Sequence, residues 1–359
     1  MAIPSTGTGR RRVHFVVPGA IDTPTGGYGY DRRVLAGLSV AGWECVHVAL
    51  TGDYPCLGRA ARAVAARILA SLPAGGVALI DGLACGALPE AMAQLAQRLT
   101  LVALVHHPLG DESGLEAGLA AQLLAQERAA LAHAHHVICT SAATASRLTA
   151  EFGVAPQRLS IAVPGTDPGP RAAGEGAPPV IVSLGSLIPR KRHDVLITAL
   201  ERIRERAWQA RILGSATLDP DCARDLRNRV ETCGLTSRIA VEGEVGDARA
   251  ALGGADLFAL ASEYEGYGMA FAEALSQGLP VVACRSAAVA ELVPQAAGAL
   301  VPPGDPAAFA AALSRLLDDP AARRACAEAA FAAGARLPSW DETCRRIGAA
   351  LHTAVALRG

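Results

Sequence analysis

The sequence predicts an α/β protein with two doubly wound domains, each a parallel sheet covered by helices. Three observations support this prediction. The chain has 359 residues, which is long for a single hydrophobic core. Short apolar, β-branched runs alternate with longer helical patterns, as expected for parallel strands connected by helices. This rhythm breaks at the Pro/Gly-rich segment 168–179, "PGPRAAGEGAPP", and then restarts, so the segment predicts an interdomain linker.

The strands and helices follow in order along both halves. In the first half, apolar runs predict strands at Val13–Pro18, Cys45–Leu50, Val77–Asp81, Leu101–His106, Val137–Thr140 and Leu159–Val163. In the second half, the strands are predicted at Val180–Leu184, Ala210–Leu213, Ile239–Glu242, Leu257–Leu260, Pro280–Cys284 and Ala299–Val301. Helical patterns are predicted at Tyr30–Ala41, Asp194–Arg204 and Met269–Gln277. The predicted domains are residues 1–167 and 180–337, with a C-terminal helix over 338–359.

Composition narrows the classes of protein that the chain can belong to. There are 33 basic and 34 acidic residues and no basic block beyond Arg10–Arg12, so we expect no nucleic-acid partner. Nine cysteines are scattered without a C-x-x-C pair, which predicts a reduced, cytoplasmic protein. No apolar run reaches the ~18 residues of a membrane span. The short apolar stretch near the N-terminus predicts a first strand rather than a signal peptide. Abundant alanine suggests a bacterial source.

One helical segment is basic on its polar positions. The stretch 57–72, "LGRAARAVAARILASL", carries Arg59, Arg62 and Arg67 and no acidic residue. Such a pattern can lie on an anionic membrane surface. It lacks aromatic anchors and has few bulky apolar residues, so a surface helix of the sheet is favoured over peripheral membrane contact.

The segment 262–275, "SEYEGYGMAFAEAL", is the most informative stretch of the chain. It places Glu265 and Glu273 with seven residues between them. The Gly-Tyr-Gly turn after Glu265 leads into a helix N-terminus, where backbone N–H groups and the helix dipole favour an anion such as phosphate. Glu273 follows about two turns along, at ~1.5 Å per residue, and can accept hydrogen bonds from ribose hydroxyls. The segment is therefore suited to a sugar, a diphosphate and a ribose in line.

This stretch also resembles the signature of a known family. "EGYGMAFAEALSQGLPVVA" is similar to the Glu-x7-Glu motif of the retaining glycosyltransferases of family 4, which have the GT-B fold. The resemblance covers nearly the whole chain and is densest from Val180 to Asp305. It implies two Rossmann-like domains facing a central cleft, with the acceptor on the N-terminal domain and the nucleotide sugar on the C-terminal domain. Trp340 resembles the tryptophan that begins the family's C-terminal helix, which crosses back to the N-terminal domain.

The resemblance also assigns roles to a basic loop. In "IVSLGSLIPRKRHDVLITAL", Lys191 matches the family's lysine, which contacts the donor diphosphate as a point charge. Ser186 stands where the family usually has arginine, and Arg190 is the candidate for the missing charge. Together with the Glu-x7-Glu motif, the first-strand Gly-Gly turn and the turn after "VEGE", this implies a set of donor-binding residues. The set is Glu273, Gly266, Tyr267, Gly268, Met269, Arg190, Gly27 and Val245.

Other strand ends in the first half predict the acceptor side. The resemblance places His106 beside the transferred sugar, so that Glu265, Lys191 and His106 form the expected catalytic group. Asp81, His107 and Gly26 are the expected acceptor-binding residues. Paired histidines can also bind metal, but no third ligand follows at useful spacing, so we expect no metal ion and no other cofactor. In the loop after His107, Asp111 and Glu112 are further candidates for contacts with acceptor hydroxyls.

These observations predict a retaining glycosyltransferase that moves a sugar from a UDP- or GDP-linked donor to an acceptor hydroxyl. The resemblance implies metal-independent, front-face attack, with the leaving diphosphate taking the acceptor proton. Two alternatives stay open. One is another GT-B enzyme, such as a sugar-nucleotide epimerase or a phosphorylase, although no motif marks a pyridoxal phosphate lysine. The other is a non-catalytic sugar-nucleotide-binding subunit, which is favoured by the serine at position 186 in place of the family's usual arginine. The donor sugar, the acceptor, the linkage and the oligomeric state are not predicted.

Overall fold

The computed structural model of the chain describes residues 11–112 and 114–358, which form two compact units. The first unit contains the described residues up to Gly110, Ala117–Val163 and the residues from Trp340 onward. The second unit contains Asp111–Glu116 and Pro164–Ser339. Residues 1–10, with which the predicted N-terminal domain begins, lie outside the described residues.

The first unit is built on a six-stranded parallel sheet. Its strands are β1 (Arg11–Pro18), β2 (Trp43–Leu50), β3 (Val77–Asp81), β4 (Thr100–Val105), β5 (His136–Cys139) and β6 (Leu159–Ile161). Its helices, up to this point of the chain, are α1 (Gly26–Gly37), α2 (Arg59–Ala70), α3 (Gly82–Ala87), α4 (Pro89–Ala96), α5 (Ala117–Ala132) and α6 (Ala142–Phe152). The strand order is β2-β1-β3-β4-β5-β6. Strands β3, β4 and β5 are buried along their whole length, which explains their uninterrupted apolar sequence.

The second unit repeats this architecture with another strand order. Its strands are β7 (Val180–Leu184), β8 (Gln209–Leu213), β9 (Ile239–Gly243), β10 (Leu257–Leu260), β11 (Val281–Cys284) and β12 (Gly298–Val301). Its helices are α7 (His193–Arg202), α8 (Pro220–Thr232), α9 (Ala248–Gly253), α10 (Met269–Ser276), α11 (Ala287–Leu292), α12 (Pro306–Asp318) and α13 (Pro320–Gly334). The sheet is parallel, in the order β12-β11-β10-β7-β8-β9. Counted from β7, this is the 3-2-1-4-5-6 order of the Rossmann fold.

The last helix, α14 (Trp340–Arg358), belongs to the first unit. The Thr343 hydroxyl donates a hydrogen bond to the carbonyl oxygen of Val163, at 2.8 Å. The Trp340 ring meets the Tyr30 ring edge-on, with 5.6 Å between the ring centroids. The apolar face of α14 therefore completes the hydrophobic core on one side of the first sheet.

The predicted α/β class with two doubly wound sheets is confirmed, and each predicted strand lies within two residues of an observed one. The first helix differs from its prediction, because α1 begins at Gly26 rather than near Tyr30. The Thr25 hydroxyl caps α1 by accepting a hydrogen bond from the Tyr28 N–H group. The Gly-Gly turn is therefore the first turn of a capped helix, and not a loop before one.

The predicted linker, residues 168–179, forms no helix or strand and is held against the second unit. The buried Asp256 carboxylate accepts hydrogen bonds from the backbone N–H groups of Gly176 and Val180, at 3.0 and 2.7 Å. The Ala172 N–H group donates to the carbonyl oxygen of Gln277. The exact domain boundaries stay a prediction.

The basic segment 57–72 contains helix α2, with Arg59 and Arg67 exposed. The Arg62 guanidinium turns inward and donates to the carbonyl oxygens of Leu57 and Ala87. One of its three arginines therefore has a structural role. Among the described helices, none combines the length and apolarity that crossing a bilayer requires.

Candidate active site

The strand order of each sheet reverses once, and the candidate site residues follow the strands at these reversals. In doubly wound sheets, ligands bind beyond the carboxyl ends of the two strands where the order reverses. In the second unit these strands are β7 and β10, and Lys191 and Glu265 lie on the loops that follow them. In the first unit they are β1 and β3, which lead to α1 and Asp81.

The loop after β7 carries the basic residues. Ser186 is half-buried in this loop and provides no charge. A Cβ atom on Gly185 would lie 3.3 Å from Cδ of Lys191, so the lysine stem packs directly over the glycine backbone. Arg192 has the left-handed backbone conformation (φ 48°) that side chains other than glycine rarely adopt. The lysine is thus confined by its own loop, and a strained residue follows it.

The loop after β10 carries Glu265 and the predicted Gly-Tyr-Gly turn. Gly268 has φ 102°, and a Cβ atom there would lie 2.9 Å from the Phe271 ring, so only glycine fits. Helix α10 begins immediately after Gly268 without a side-chain cap. Among the described residues, no hydrogen-bond partner is found for the first two N–H groups of the helix, those of Met269 and Ala270. These groups are free to bind an anion.

Lys191 and Glu265 form a buried ion pair at this reversal. The Lys191 Nζ atom donates to Glu265 Oε1 at 2.7 Å, and the two side chains are only 14% and 9% exposed. A guanidinium nitrogen of Arg190 lies 3.9 Å from the other carboxylate oxygen. The structure therefore brings the three predicted residues together.

The pKa values of this group follow from burial and from the neighbouring charges. Burial opposes ionisation of Glu265, but Lys191 and Arg190 outweigh it and lower the pKa of the carboxyl group. Burial also lowers the pKa of the Lys191 ammonium, and Arg190 adds to this effect, while Glu265 opposes it. The Glu265 carboxylate is therefore the main group that opposes the lowering of the Lys191 pKa.

A second carboxylate reaches Arg190 from the segment Asp111–Glu116. Glu112 Oε1 accepts a hydrogen bond from Arg190 Nε at 2.7 Å. Arg190 also donates to the carbonyl oxygen of Tyr264, at 2.9 Å, which fixes the arginine against the Glu265 loop. Glu112, which the sequence suggested for acceptor hydroxyls, is therefore engaged with a donor-side cation in this structure.

The other predicted donor residues have simpler surroundings. Glu273 lies on α10 and is half-buried, as are Gly266 and Tyr267 in the preceding turn. Burial raises the pKa of the Tyr267 phenol to about 12. Val245 is half-buried after β9 and packs against the second unit's core, which accounts for an apolar residue there without any ligand.

In the first unit, a histidine and two buried aspartates meet beyond β1, β3 and β4. His106 Nε2 lies 3.2 Å from an oxygen of Asp31 and 3.3 Å from an oxygen of Asp81. The other oxygen of Asp81 caps α3 by accepting a hydrogen bond from Leu83 N–H. The Asp81 side chain is only 3% exposed, so its carboxylate lies behind His106 and not on an open surface.

The sequence did not single out Asp31, although a signal was present. Asp31 follows Gly27 by four residues on α1, and residues at this spacing share one face of a helix. A Cβ atom on Gly27 would contact the His106 ring at 3.5 Å, so the same face meets the histidine. Gly26 begins α1 one residue earlier, and His107 follows in the bend after β4.

Asp31, Asp81 and His106 are also close enough together to be considered as a metal site. The distances between the imidazole and the two carboxylates are, however, those of ordinary hydrogen bonds, so a shared proton explains the geometry without a metal ion. We assign no metal to this cluster. Metal-independent chemistry stays a prediction.

Comparison with known proteins matches both halves of the chain to glycosyltransferase families. A family model described as Glycosyltransferase Family 4 matches residues 12–169, and one described as Glycosyl transferases group 1 matches residues 178–319. Over 167 residues, 46% of this chain, the sequence is 35% identical to a D-inositol 3-phosphate glycosyltransferase of Xylanimonas cellulosilytica. Over 183 residues, 44% of this chain, it is 33% identical to a GDP-mannose-dependent alpha-(1-6)-phosphatidylinositol monomannoside mannosyltransferase of Mycobacterium tuberculosis. The matched segments span 40% and 46% of these two relatives.

Solved structures show the same fold at low sequence identity. Sucrose-phosphate synthase from Thermosynechococcus elongatus aligns with a TM-score of 0.81 at 20% identity, over 95% of this chain and 98% of that chain. Anabaena HepE, solved in complex with UDP and glucose, aligns with a TM-score of 0.78 at 18% identity, over 95% and 99% of the two chains. With both halves matched by family models and two Rossmann-like sheets, the chain belongs to the family 4 glycosyltransferases and has their two-domain GT-B fold.

Proposed function

We propose that this protein is a retaining glycosyltransferase that transfers a sugar from a nucleotide-diphosphate donor to an acceptor hydroxyl. The observation that carries the proposal is the buried Lys191–Glu265 ion pair beside the uncapped N-terminus of α10. Both residues follow the strands at which the second sheet reverses, where ligands bind in this class of sheet. The group thus combines a cation, free N–H donors and a carboxylate at one binding position.

Each part of this group suits one part of the donor. The Lys191 ammonium and the N–H groups of Met269 and Ala270 would stabilise negative charge on the departing diphosphate. The Glu265 carboxylate would accept hydrogen bonds from hydroxyls of the transferred sugar. Glu273 lies four residues into α10, about 6 Å along its axis, and would bind ribose hydroxyls. Positioning and charge stabilisation are then the main contributions of this unit to catalysis.

Lysine content gives this assignment independent support. Lys191 is the only lysine among the 33 basic residues of the chain, and all the others are arginine. An ammonium group is a compact point charge on a flexible stem, whereas a guanidinium is planar and wider. The stem of Lys191 lies against the Gly185 backbone, where little lateral space is left. Only this position of the sequence uses lysine, as expected if the shape of the cation matters there.

The relatives limit the donor without fixing it. One relative is named as GDP-mannose-dependent, and the HepE structure contains UDP and glucose. We therefore propose a UDP- or GDP-linked sugar as donor. We propose that the reaction needs no metal ion, because Lys191, Arg190 and the α10 N-terminus together supply positive charge for the diphosphate.

Binding can be tested through the unique lysine. Biosynthetic labelling with [ε-13C]lysine gives one side-chain NMR signal from the folded protein, and it reports on Lys191 directly. We expect a cognate donor from a panel of UDP-, GDP- and ADP-sugars to shift this signal and to raise the melting temperature. A panel of both purine and pyrimidine donors that leaves the signal unchanged would contradict a donor site at Lys191.

Transfer is tested with the donor that binds. Wild-type protein should hydrolyse the donor slowly, and it should form a glycoside with retained anomeric configuration, visible in the coupling constant of the anomeric proton. Lys191→Ala should slow transfer by about 10²–10³-fold, as loss of one preorganised hydrogen-bond donor to a developing negative charge does elsewhere, and Lys191→Arg should not restore it. Excess EDTA should have no effect. An inverted product would refute the retaining assignment.

Ser186 keeps a second candidate open, namely a non-catalytic subunit that binds sugar nucleotides. The missing arginine removes one charge from the expected diphosphate site, which weakens transition-state stabilisation. Such a protein would show the lysine signal shift and the rise in melting temperature, but neither hydrolysis nor transfer. Conversion of the donor to its epimer without an acceptor would instead identify a sugar-nucleotide epimerase.

A further inference from the structure

The cluster of Asp31, Asp81 and His106 contains one group that a ligand can reach and two that it cannot. The side chains of Asp31 and Asp81 are 1% and 3% exposed, whereas that of His106 is 18% exposed. Both carboxylates approach the same ring nitrogen, Nε2, from different elements. Any contact with a ligand must therefore be made by the imidazole, and the carboxylates act through it.

The His106 ring is fixed in one orientation. Its Cδ2 edge lies over Gly27, and the Tyr30 ring meets it edge-on, with 5.2 Å between the centroids. The His106 backbone carbonyl accepts a hydrogen bond from the Thr140 hydroxyl. Among the described residues, Nδ1 has no hydrogen-bond partner, and it is not a buried unsatisfied atom. The ring therefore presents the Nδ1 edge to solvent.

The surrounding charges favour a protonated ring. A neutral imidazole would leave two buried carboxylates without a cation in contact. An imidazolium neutralises half of their combined negative charge. Burial alone would lower the pKa of His106, but Asp31 and then Asp81 raise it to about 10. Burial raises the pKa of Asp31 to about 6, opposed by His106 and by Arg32. At neutral pH the His106 ring is then charged and the Asp31 carboxylate is ionised.

The remaining groups around the cluster do not change this balance. The Arg32 guanidinium is hydrogen-bonded to the backbone carbonyl oxygens of Ile21 and Thr23. Burial raises the pKa of the phenols of Tyr28 and Tyr30, so both stay neutral near pH 7. The charge state of His106 is therefore set by Asp31 and Asp81.

We propose that Asp31 is a positioning residue which, together with Asp81, keeps His106 as a fixed imidazolium whose Nδ1–H donates to a hydroxyl oxygen of the bound sugar. His106 then acts as a permanent hydrogen-bond donor and not as a base, because it has no free lone pair. The identity of the ligand as a sugar rests on the proposed function. The charge state of His106 does not, so the two ideas can fail separately.

The charge state can be measured in the ligand-free, full-length protein. Long-range 1H–15N spectra of 15N-histidine-labelled protein distinguish imidazolium from both neutral tautomers, and the spectrum of His106→Gln identifies the His106 signals among the nine histidines. We expect the wild-type ring to stay fully protonated at pH 8. A His106 ring that titrates near its ordinary pKa of about 6.5 would overturn the proposal. This measurement needs no variant of Asp31.

Asp31→Asn tests the role of the carboxylate. It keeps the shape of the side chain and does not disturb the cap that Asp81 provides to α3. We expect the pKa of His106 to fall by about 1–3 pH units, the range for loss of an opposite charge in contact. Asp256→Asn removes a carboxylate that is 3% exposed in the second unit, and it should leave His106 unchanged. An unchanged His106 pKa in Asp31→Asn would overturn the assignment.

A pH profile separates positioning from a purely structural role. Transfer that needs the imidazolium is lost as pH rises through the pKa of His106. In Asp31→Asn, the alkaline limit of kcat/KM should therefore move to lower pH by the same amount as the pKa measured by NMR. A uniform loss of activity at every pH, with the limit unmoved, would show that Asp31 serves only folding.

Discussion

Replacing Glu265 by glutamine should strongly destabilise the second unit. The carboxylate accepts a hydrogen bond from Lys191 at 2.7 Å and lies 3.9 Å from Arg190, and all three side chains are at most 14% exposed. At ~4 Å and an effective dielectric constant of 20, one such pair attracts by about 4 kcal/mol. Glu265→Gln keeps the shape of the side chain but leaves two cations without this carboxylate. We therefore expect a loss of about 3–5 kcal/mol in the free energy of unfolding.

A double-mutant cycle isolates the part of this loss that belongs to the pair. Lys191→Met removes the ammonium and keeps most of the stem. In the double variant neither charge remains, so it should be more stable than the sum of the two single losses predicts. We expect a coupling energy of about 1–3 kcal/mol. The same cycle on the exposed pair Arg224 and Asp221, which are 62% and 79% exposed, should give less than about 1 kcal/mol.

The three tryptophans of the chain allow the second unit to be followed alone. Trp43 and Trp340 belong to the first unit, and Trp208 is buried in the second, where its Nε1–H donates to the carbonyl oxygen of Ile203. In a background with phenylalanine at 43 and 340, urea unfolding monitored by fluorescence reports on the second unit. If the losses of Glu265→Gln and Lys191→Met add within about 0.5 kcal/mol, the pair does not act as a unit and the reasoning is refuted.

Three further outcomes follow from the same structure. Glu273→Ala should weaken donor binding by about 10–100-fold in calorimetry, because hydrogen bonds to a charged acceptor contribute about 1.5–3 kcal/mol. The control Glu291→Ala, at an exposed position, should leave donor affinity unchanged. Equal donor affinities in Glu273→Ala and wild type would remove the ribose assignment. Gly268→Ala should lower the free energy of unfolding by about 1–3 kcal/mol, because Gly268 has a φ of 102° that side chains other than glycine rarely adopt. Gly246→Ala, at a position with open space around it, should lower the free energy of unfolding by less than about 1 kcal/mol. Similar losses in the two variants would contradict this explanation. Because the pKa of Glu265 is lowered in the folded state, its contribution is present above its ordinary pKa of about 4.3 and is lost as pH falls through the lowered value. The urea midpoint of unfolding should therefore fall less steeply with decreasing pH in Glu265→Gln than in wild type. Equal slopes of the midpoint against pH in the two proteins would contradict this contribution of Glu265.

Much of the fold could be predicted because buried parallel strands leave a strong local pattern. Val77–Asp81, Val180–Leu184 and Leu257–Leu260 were predicted with their observed bounds, since each is an apolar run ended by turn residues. The start of α1 was not, because two glycines read as a loop. The Thr25 cap supplies the local hydrogen bond that makes a helix start there possible.

The candidate site was predictable only where its residues lie in one continuous motif. Glu265 and its glycine turn are close in sequence, and their arrangement follows from the helix that comes next. The pairing of Asp31 with His106 joins positions 75 residues apart, so no local pattern contains it. Periodicity placed Asp31 on a helix, but only the order of strands β1, β3 and β4 in the sheet brings that helix to the histidine.

The two charged groups use the same physical device, in which buried carboxylates oppose the effect of burial on the pKa of a cation. In the second unit, the buried Glu265 carboxylate raises the pKa of the Lys191 ammonium, whereas burial and Arg190 both lower it. In the first unit, two buried carboxylates raise the pKa of an imidazole against the same effect of burial. Each site thereby places opposite charge beside a cationic group, Lys191 or His106, whose pKa burial alone would lower. A cation held in this way needs little reorganisation when negative charge or a lone pair arrives, which is the condition for electrostatic stabilisation of a transition state.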